Sequence, residues 1–220
     1  MTPPNNLAFL HTSPSHVPTF EALVQRVAPG VRVAHHVRED LLDYARVYGP
    51  DDPALVQQVQ EAMRSAATSG AQVVVCTCSS IGAAAETTVT GGQFLAQRVD
   101  RAMADHAARS GTRLWLVAAL PSTVAPTRAL IEDSAQRIGM PVALESLVVD
   151  SAWPHFLRDD QSAYIDAIVE AVRGVASVSD TVVLAQASMA AAAIRLADMG
   201  VQALSSPEPG VRRALDSLMF

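Results

Sequence analysis

The chain has 220 residues, of which 50% are hydrophobic and 17% charged, enough for one large domain or two small ones and unlike a disordered protein. Its formal net charge of -6 offers no basic surface, so neither nucleic acid nor membrane is expected as a partner. All 16 basic residues are arginine, and without lysine this chain cannot form a Schiff base with pyridoxal phosphate or a carbonyl substrate.

Short apolar runs, typical of strands, alternate in the first half with longer amphipathic stretches, typical of helices. Residues 72–77 form a β-branched run of the kind found in strands that are buried on both faces. In chain order the pattern predicts a strand at 7–10, a helix at 20–27, a strand at 31–34, a helix at 52–69, a strand at 72–77 and a helix at 98–108. Residues 44–52 are interpreted as a loop or lid.

The second half repeats this alternation. It predicts a strand at 114–119, a helix at 126–138, a strand at 142–149, a helix at 162–175, a strand at 181–185, a helix at 188–198, a strand at 201–204 and a helix at 212–218. Strands that alternate with helices imply parallel pairing and crossover helices. The sequence therefore predicts an α/β protein of two similar lobes, one formed by residues 1–108 with 200–220 and the other by residues 109–199.

Hydroxyl-rich segments follow four of the predicted strands. Ligands of open parallel sheets bind beyond the carboxyl ends of the strands, so these segments should converge on one cleft if the lobes face each other. Hydroxyls and loop amides can hold a carboxylate without lysine, although a helix cap or a turn is the commoner role of any single one. The segments are Thr12-Ser13, Ser79-Ser80, Ser122-Thr123 and Ser188.

Cys78 is the best candidate for chemistry, because it follows the strand at 72–77 and precedes Ser79, Ser80 and Gly82. The amides and hydroxyls of such a loop would lower the pKa of the thiol and favour the thiolate. A thiolate can take a proton from the carbon next to a carboxylate or attack an electrophile. A buried structural cysteine is an equally good interpretation of Cys78, and the better one for Cys76, which lies inside the strand.

Other side chains carry weaker signals. His11 directly follows the first strand and is placed by this position at the edge of the cleft, although a packed histidine is the commoner case. The histidines show no metal-ligand spacing with the cysteines. A cysteine pair two residues apart does not suggest a disulfide framework, and no signal peptide or membrane-length apolar stretch is recognised. We therefore expect a soluble protein of the reducing cytoplasm.

The segment Thr77-Cys78-Ser79-Ser80 resembles a motif of the aspartate/glutamate/hydantoin racemase superfamily, and the resemblance extends over essentially the whole chain. The other matching segments are the strand leading into His11-Thr12-Ser13, Arg98-Val99-Asp100-Arg101-Ala102-Met103, Ala119-Leu120-Pro121-Ser122-Thr123, Leu184-Ala185-Gln186-Ala187-Ser188-Met189 and Leu204-Ser205-Ser206-Pro207.

This resemblance implies two pseudo-symmetric lobes with an active site between them and cofactor-free proton transfer at the carbon next to a carboxylate. In two-base members, one cysteine from each lobe flanks that carbon. The first matches Cys78, and the second position is occupied here by Gln186. Glutamine cannot act as a proton base, so ordinary two-thiol racemisation of aspartate or glutamate is not expected.

The resemblance thus implies an isomerase-type enzyme with Cys78 as acid/base, Gln186 as a hydrogen-bond donor, and His11 with the hydroxyl-rich segments around a small carboxylate substrate. We expect a homo-oligomer. A one-thiol decarboxylase or lyase and a non-catalytic carboxylate-binding protein remain as alternatives.

Overall fold

The computed structural model describes residues 6–110 and 113–218, so the parts of the predicted lobes that fall on 1–5, 111–112 and 219–220 lie outside it. By their internal contacts the residues divide into two compact units. The first unit comprises the described residues of Met1–Arg101 and Pro207–Phe220, and the second those of Ala102–Ser206.

Strands and helices alternate along the chain as predicted. The first elements are β1 (Leu7–His11), α1 (His16–Val27), β2 (Val33–Val37), α2 (Glu39–Tyr48), α3 (Pro53–Ala67), β3 (Val73–Cys76), α4 (Gly82–Glu86), β4 (Leu95–Arg98) and α5 (Arg101–Arg109). The remaining elements are β5 (Arg113–Ala118), α6 (Pro121–Arg137), β6 (Ala143–Val148), α7 (Trp153–Leu157), α8 (Gln161–Arg173), β7 (Thr181–Leu184), α9 (Ala190–Asp198), β8 (Gln202–Ser205) and α10 (Pro207–Asp216).

Each unit contains a four-stranded parallel sheet, and the two sheets have the same topology. The strand order is β2-β1-β3-β4 in the first unit and β6-β5-β7-β8 in the second. In each unit, the strand that comes first in the chain lies between the second and the third, and the fourth lies at the edge beyond the third. The fold class is therefore the predicted one, two similar α/β units built from parallel strands.

Apolar side chains cover both faces of each sheet. In the first unit Leu10 and Val74 pack with Leu55 and Met63 of α3. On the opposite face Phe9 meets Phe20 of α1, with ring centroids 5.1 Å apart. Burying side chains of this size contributes about 1.5–3 kcal/mol each, so the central strands and their covering helices hold the strand ends in place.

The second unit is packed in the same way by two clusters. One joins β7 to α8 and α9 through Val182, Ile168 and Leu196. The other joins β5 to α5 and α6, with Leu116 among its members. Strands β5 and β7, at the centre of this sheet, are thus covered on both faces, as their continuous apolar sequences predict.

Two sequence interpretations are corrected by the structure. Residues 44–48 are not a loop: α2 extends through Tyr48, because Leu41 and Ala45 share one buried helix face and the Tyr44 ring packs at a tilt of 43° against that of Tyr48, with centroids 4.5 Å apart. The chain leaves this helix at Gly49, which has a positive φ of 94°.

The second correction concerns residue 98. The structure places Arg98 at the end of β4, and the helix predicted at 98–108 begins at Arg101. No pattern in the sequence indicates β4, because it is a four-residue edge strand with mixed polarity.

The unit boundaries also differ from the predicted ones, 108/109 and 199/200. Strand β8 is hydrogen-bonded to β7, so residues 202–205 belong to the sheet of the second unit, and only α10 returns to the first. Within the described ranges, no helix is both long and apolar enough to cross a bilayer.

Helix α10 approaches the backbone after β4 so closely that only glycine fits at one position. A Cβ atom built on Gly210 would lie 2.2 Å from the carbonyl oxygen of Val99. We expect Gly210→Ala to lower the free energy of unfolding by about 1–3 kcal/mol or more, because a backbone oxygen cannot move aside as a side chain can. Urea denaturation measures this.

Gly174→Ala is the matched control. The nearest atom to its added Cβ would be the carbonyl oxygen of Ala171, at an ordinary contact distance of 3.5 Å. Equal unfolding free energies for the two variants would contradict the close packing of α10.

Candidate active site

Cys78 lies two residues beyond the end of β3, at the carboxyl edge of the first sheet. Its backbone is extended (φ -101°, ψ 117°) and leads into a 3-10 turn, Ser79–Ile81, which is followed directly by α4. The side chain is buried, with 8% of the residue exposed. Three groups hydrogen-bond to its sulfur: the Thr12 side chain and the backbone amides of Ser80 and Ile81.

The net pKa shift of Cys78 is opposite to the one predicted from the loop. Burial raises the pKa of the Cys78 thiol, and this desolvation outweighs the hydrogen bonds from Thr12, Ile81 and Ser80, which act to lower it. The thiol therefore keeps its proton at neutral pH. When it gives that proton away, the same three donors stabilise the thiolate that remains.

Cys76 has a different environment. It lies within β3, is 1% exposed, and its Sγ donates to the carbonyl oxygen of Cys78 at 3.6 Å. Burial raises the pKa of the Cys76 thiol as well. Both cysteines are free thiols. The position inside the sheet agrees with the structural role that the sequence favoured for Cys76.

His11 is held in a buried chain of hydrogen bonds. Its Nδ1 lies 2.8 Å from Oγ1 of Thr77, and its Nε2 lies 2.9 Å from Nδ1 of His35. Nε2 of His35 in turn lies 3.0 Å from a carboxylate oxygen of Glu21, on α1. Both ring nitrogens of His11 are therefore engaged within the first unit.

One arrangement of protons gives every bond in this chain a donor. The Glu21 carboxylate only accepts, so His35 donates from Nε2, and its Nδ1 can accept from His11. His11 then donates from Nε2, and its Nδ1 accepts the hydroxyl proton of Thr77. The hydroxyl of Thr77 has two possible acceptors. Nδ1 of His11, at 2.8 Å, is nearer than the carbonyl oxygen of Leu10, at 3.3 Å.

Burial lowers the pKa of His11 and His16 far enough to keep both neutral. The pKa of His11 is lowered to about 3 by desolvation and by the neighbouring His16, His35 and His36. Desolvation lowers the pKa of His16, whose ring lies edge-on to His11 with centroids 6.2 Å apart, to about 4. A group that stays neutral over the physiological range is a structural hydrogen-bonding element rather than a charged anchor for a carboxylate.

Gln186 occupies in the second unit the position that Cys78 occupies in the first. Each follows its central strand by two residues, is extended, and opens a 3-10 turn that leads into a helix. Register confirms the equivalence, because Cys76 pairs with Leu10 as Leu184 pairs with Val117. The side-chain oxygen of Gln186 accepts from the backbone amide of Ala119 at 2.6 Å, which leaves the amide NH2 group as its donor.

The same register shows how unequal the two strand ends are. Counting from the paired residues, Ala118, Ala119 and Ala185 stand in the second unit where His11, Thr12 and Thr77 stand in the first. The thiol, its hydroxyl partner and the histidine chain are thus all features of the first unit.

The remaining predicted site residues are dispersed over both strand edges. Oγ of Ser188 lies 2.9 Å from the hydroxyl of Tyr164, a side chain whose burial raises its pKa. Oγ of Ser122, in the first turn of α6, is buried without a hydrogen-bond partner in the described part of the chain, and Thr123 beside it is buried. Ser13 forms a local turn, with its Oγ 2.8 Å from that of Ser15.

Sequence reasoning missed several groups that surround Cys78 and His11. His35 and Glu21 have no sequence signal, because their contact with His11 depends on the pairing of β1 with β2 and on the packing of α1. Arg98 and Asp100 lie in a segment that carries the family resemblance, but the sequence did not show that they form a buried ion pair or that Arg98 bonds to Ser79. No cluster of metal-ligating side chains occurs among residues 6–110 and 113–218.

Solved structures of the same fold include racemases and a decarboxylase. Aspartate racemase from Picrophilus torridus matches with a TM-score of 0.70 at 14% identity, over 98% of this chain and 94% of that one. Glutamate racemase from Thermus thermophilus, in complex with β-chloro-D-alanine, matches with a TM-score of 0.66 at 17% identity, over 100% and 82%. A mutant of arylmalonate decarboxylase, in a sulfate-associated form, matches with a TM-score of 0.61 at 20% identity, over 97% and 93%.

No protein-family profile matches the sequence, and no curated protein is significantly similar to it. The chain therefore shares its fold with aspartate, glutamate and allantoin racemases and with arylmalonate decarboxylase, the fold that the sequence resemblance implied.

The buried histidines predict that the protein loses stability in acid. The folded state keeps His11 and His16 neutral, with pKa values of about 3 and 4, whereas in the unfolded chain they take up protons near pH 6.5. Below pH 6.5 the unfolded state therefore binds more protons, and the free energy of unfolding should fall by up to about 1.4 kcal/mol per pH unit for each histidine. Urea denaturation between pH 7.5 and 4.5 measures the slope.

His16→Gln should reduce this slope, and His106→Gln, at an exposed site, should leave it unchanged. A stability independent of pH from 7.5 to 4.5 would contradict the burial of neutral imidazoles.

The two thiols should differ in reactivity. Cys78 is expected to react with iodoacetamide faster than Cys76 at neutral pH, because three hydrogen bonds stabilise its thiolate while Cys76 is enclosed in the sheet. Time-resolved peptide mapping of the native protein measures both rates. Earlier labelling of Cys76 would reverse the assignment.

Proposed function

We propose that this chain is a cofactor-independent enzyme that transfers a proton at the carbon next to a carboxylate of a small acid or amino acid, with Cys78 as the acid/base. Among reactions of that kind, an isomerase or racemase type is the one most consistent with the shared fold. The fold is common to aspartate, glutamate and allantoin racemases, so chemistry of this class is compatible with it.

The observation that carries the proposal is the donor set around the sulfur. A buried thiol that keeps its proton is suited to donate it to a carbanion or enolate, because donor and acceptor then have closer proton affinities. The thiolate produced is stabilised by Thr12 and by the amides of Ser80 and Ile81. In the reverse direction the thiolate removes the proton from the substrate carbon and regenerates the thiol.

The hydroxyl-rich strand ends are the proposed carboxylate site. Ser122 supports this assignment, because its buried hydroxyl without a described partner can donate to a substrate oxygen. Thr123 and Ser188 lie at the same strand edge of the second unit, and Ser13, Ser79 and Ser80 at that of the first. His11 acts in this proposal through the chain that holds Thr77 next to Cys78.

We propose that Gln186 donates a hydrogen bond from its amide group to an oxygen of the substrate. Its oxygen is already bound to the amide of Ala119, so the NH2 end is the one oriented to a ligand oxygen. An amide neither holds nor releases a proton near neutral pH. Catalysis in both directions would then depend on a single thiol.

A one-thiol decarboxylase or lyase is the second candidate, and the glutamine at position 186 is the observation behind it. Loss of carbon dioxide generates an enolate without any base, and a single thiol then suffices to protonate it. A binding protein without turnover is the third possibility, and the experiment below distinguishes all three.

Exchange of the α-proton in deuterated water tests the proposal directly. Small dicarboxylates, amino acids and hydantoins are screened by NMR for loss of the α-proton signal, with carbon dioxide release recorded in parallel. Cys78→Ser should lower the rate by about a hundredfold or more, the usual scale for a positioned acid/base group. Cys76→Ala is the matched control and should retain most of the activity, because Cys76 is enclosed within β3 and its bond to the Cys78 carbonyl is a weak S–H contact of 3.6 Å.

Chiral chromatography with aspartate and glutamate tests the role of Gln186. The native protein should show little or no racemisation, and Gln186→Cys should create some by supplying a second thiol. Rapid racemisation by the native protein would show that another residue serves as the second base. Cys78-dependent release of carbon dioxide would identify a decarboxylase, and binding of an acid without exchange or release would identify a binding protein.

A further inference from the structure

Arg98 and Asp100 form a buried ion pair beside the 3-10 turn that follows Cys78, on the same side of the sheet as Cys76. Arg98 pairs with Cys76 across the β3–β4 ladder, and its guanidinium donates to both carboxylate oxygens of Asp100, at 2.7 and 3.0 Å. The two side chains are 3% and 1% exposed. Nη2 of Arg98 also donates to the carbonyl oxygen of Ser79, at 3.4 Å, so this guanidinium connects β4 to the first residue of the turn.

The first residue of α4 leaves room for this guanidinium. A Cβ atom on Gly82 would lie 2.8 Å from Nε and 2.9 Å from Cζ of Arg98. The backbone of Gly82 is ordinary right-handed helix (φ -61°, ψ -36°), so glycine is required here by space and not by conformation. Arg98, Asp100 and Gly82 therefore form one fitted set, which we call the Arg98 clamp.

The second unit serves as an internal comparison, because its strands and turn have the same register. The positions equivalent to Arg98, Asp100 and Gly82 hold Ser205, Pro207 and Ala190. No guanidinium occupies that place, and an alanine begins the helix. The clamp thus occurs with the thiol in the first unit, and both are replaced in the second, where Gln186 follows the strand.

Stability alone is a weak explanation for this arrangement. Removing two charges from water carries a desolvation penalty that their mutual attraction often fails to exceed, so a buried ion pair is weak evidence for a stabilising role. The geometry defined here is that of the turn, since the third bond of the guanidinium ends on Ser79, the neighbour of both Cys78 and Ser80.

We propose that Arg98 is a positioning residue for the Cys78 thiol: held by Asp100 and accommodated by Gly82, it anchors Ser79 so that the amides of Ser80 and Ile81 point at the sulfur. The inference deepens the proposed function, because it explains how the acid/base group obtains its donors. It can be tested without a substrate, since the property at issue is the thiol itself.

Two carboxylates, those of Asp100 and Glu86, lie on the elements around the Cys78 thiol, and each is paired with an arginine. Asp100 acts to raise the pKa of Cys78, and the guanidinium of Arg98 lies directly against that carboxylate. Glu86, at the end of α4, is bound by Arg101. A displaced Arg98 would therefore remove hydrogen-bond donors from the sulfur and leave the Asp100 charge less compensated, and both changes raise the thiol pKa.

The test measures the pH dependence of alkylation of Cys78 in the whole native protein. Iodoacetamide is attacked by the thiolate, a carbon–sulfur bond forms and iodide leaves, so the rate follows the thiolate fraction. Gly82→Ala, which keeps every charge, should raise the apparent pKa by about one unit and lower the rate below that pKa about tenfold. Gly174→Ala is the control, because its Cβ makes only an ordinary contact.

Arg98→Lys is the second variant and carries the test if Gly82→Ala does not fold. Lysine keeps the charge against Asp100 but cannot bond both carboxylate oxygens and Ser79 together, so the thiol pKa should again rise. Circular dichroism verifies the native fold of each variant. An unchanged thiol pKa in a folded variant would overturn the proposal, and so would a fall towards the value of a free cysteine, which indicates simple loosening of the loop.

Failure of this proposal and failure of the proposed function are distinguishable. A raised thiol pKa in both variants, with no α-proton exchange on any acid, would support the clamp and refute the enzyme. Exchange that depends on Cys78, with thiol pKa values identical in the native protein and both variants, would do the reverse.

Discussion

Parallel pairing of β1 with β3 is the constraint on which the candidate site depends. Because Leu10 lies beside Cys76, the residues two positions beyond them, Thr12 and Cys78, emerge together at the carboxyl edge of the sheet. The hydroxyl of Thr12 then reaches the sulfur, and the 3-10 turn after Cys78 brings two backbone amides to it. A shift in register would separate Thr12 from the thiol, since Thr12 follows β1 whereas Cys78 and its two amide donors follow β3.

Below that edge, the first unit contains an unusual amount of buried polar structure, and each part of it is satisfied in a different way. His11 stays neutral, and its hydrogen bonds join Thr77 to His35 and through it to Glu21. The Arg98 clamp is charged and internally compensated. Unpaired groups in such places would cost several kcal/mol each, so the two networks fix the backbone on either side of Cys78 more firmly than apolar packing alone.

Comparison of the two units shows how a repeated fold can acquire a one-sided site. The strand order, the 3-10 turn and the helix after it are the same in both. The side chains differ at the equivalent positions: alanine replaces His11, Thr12 and Thr77, and glutamine replaces the cysteine. The fold supplies two equivalent strand-end positions, and this sequence places a thiol with its donors at one of them and a glutamine at the other.

Much of this could be predicted from the amino-acid sequence by itself. Alternating apolar and amphipathic stretches determined two parallel α/β halves, and the breaks after β3 and β7 located Cys78 and Gln186 at strand ends, because periodicity and turn residues are local properties. Strand β4 and helix α2 were missed, the first for its mixed polarity and the second because its tyrosines resemble a loop sequence. The contacts of His11 with His35 and of Arg98 with Ser79 join residues far apart in the chain and exist only once strands pair in register. The sign of the pKa shift of Cys78 was also decided by tertiary structure, because desolvation depends on how completely the packed elements exclude water from the sulfur.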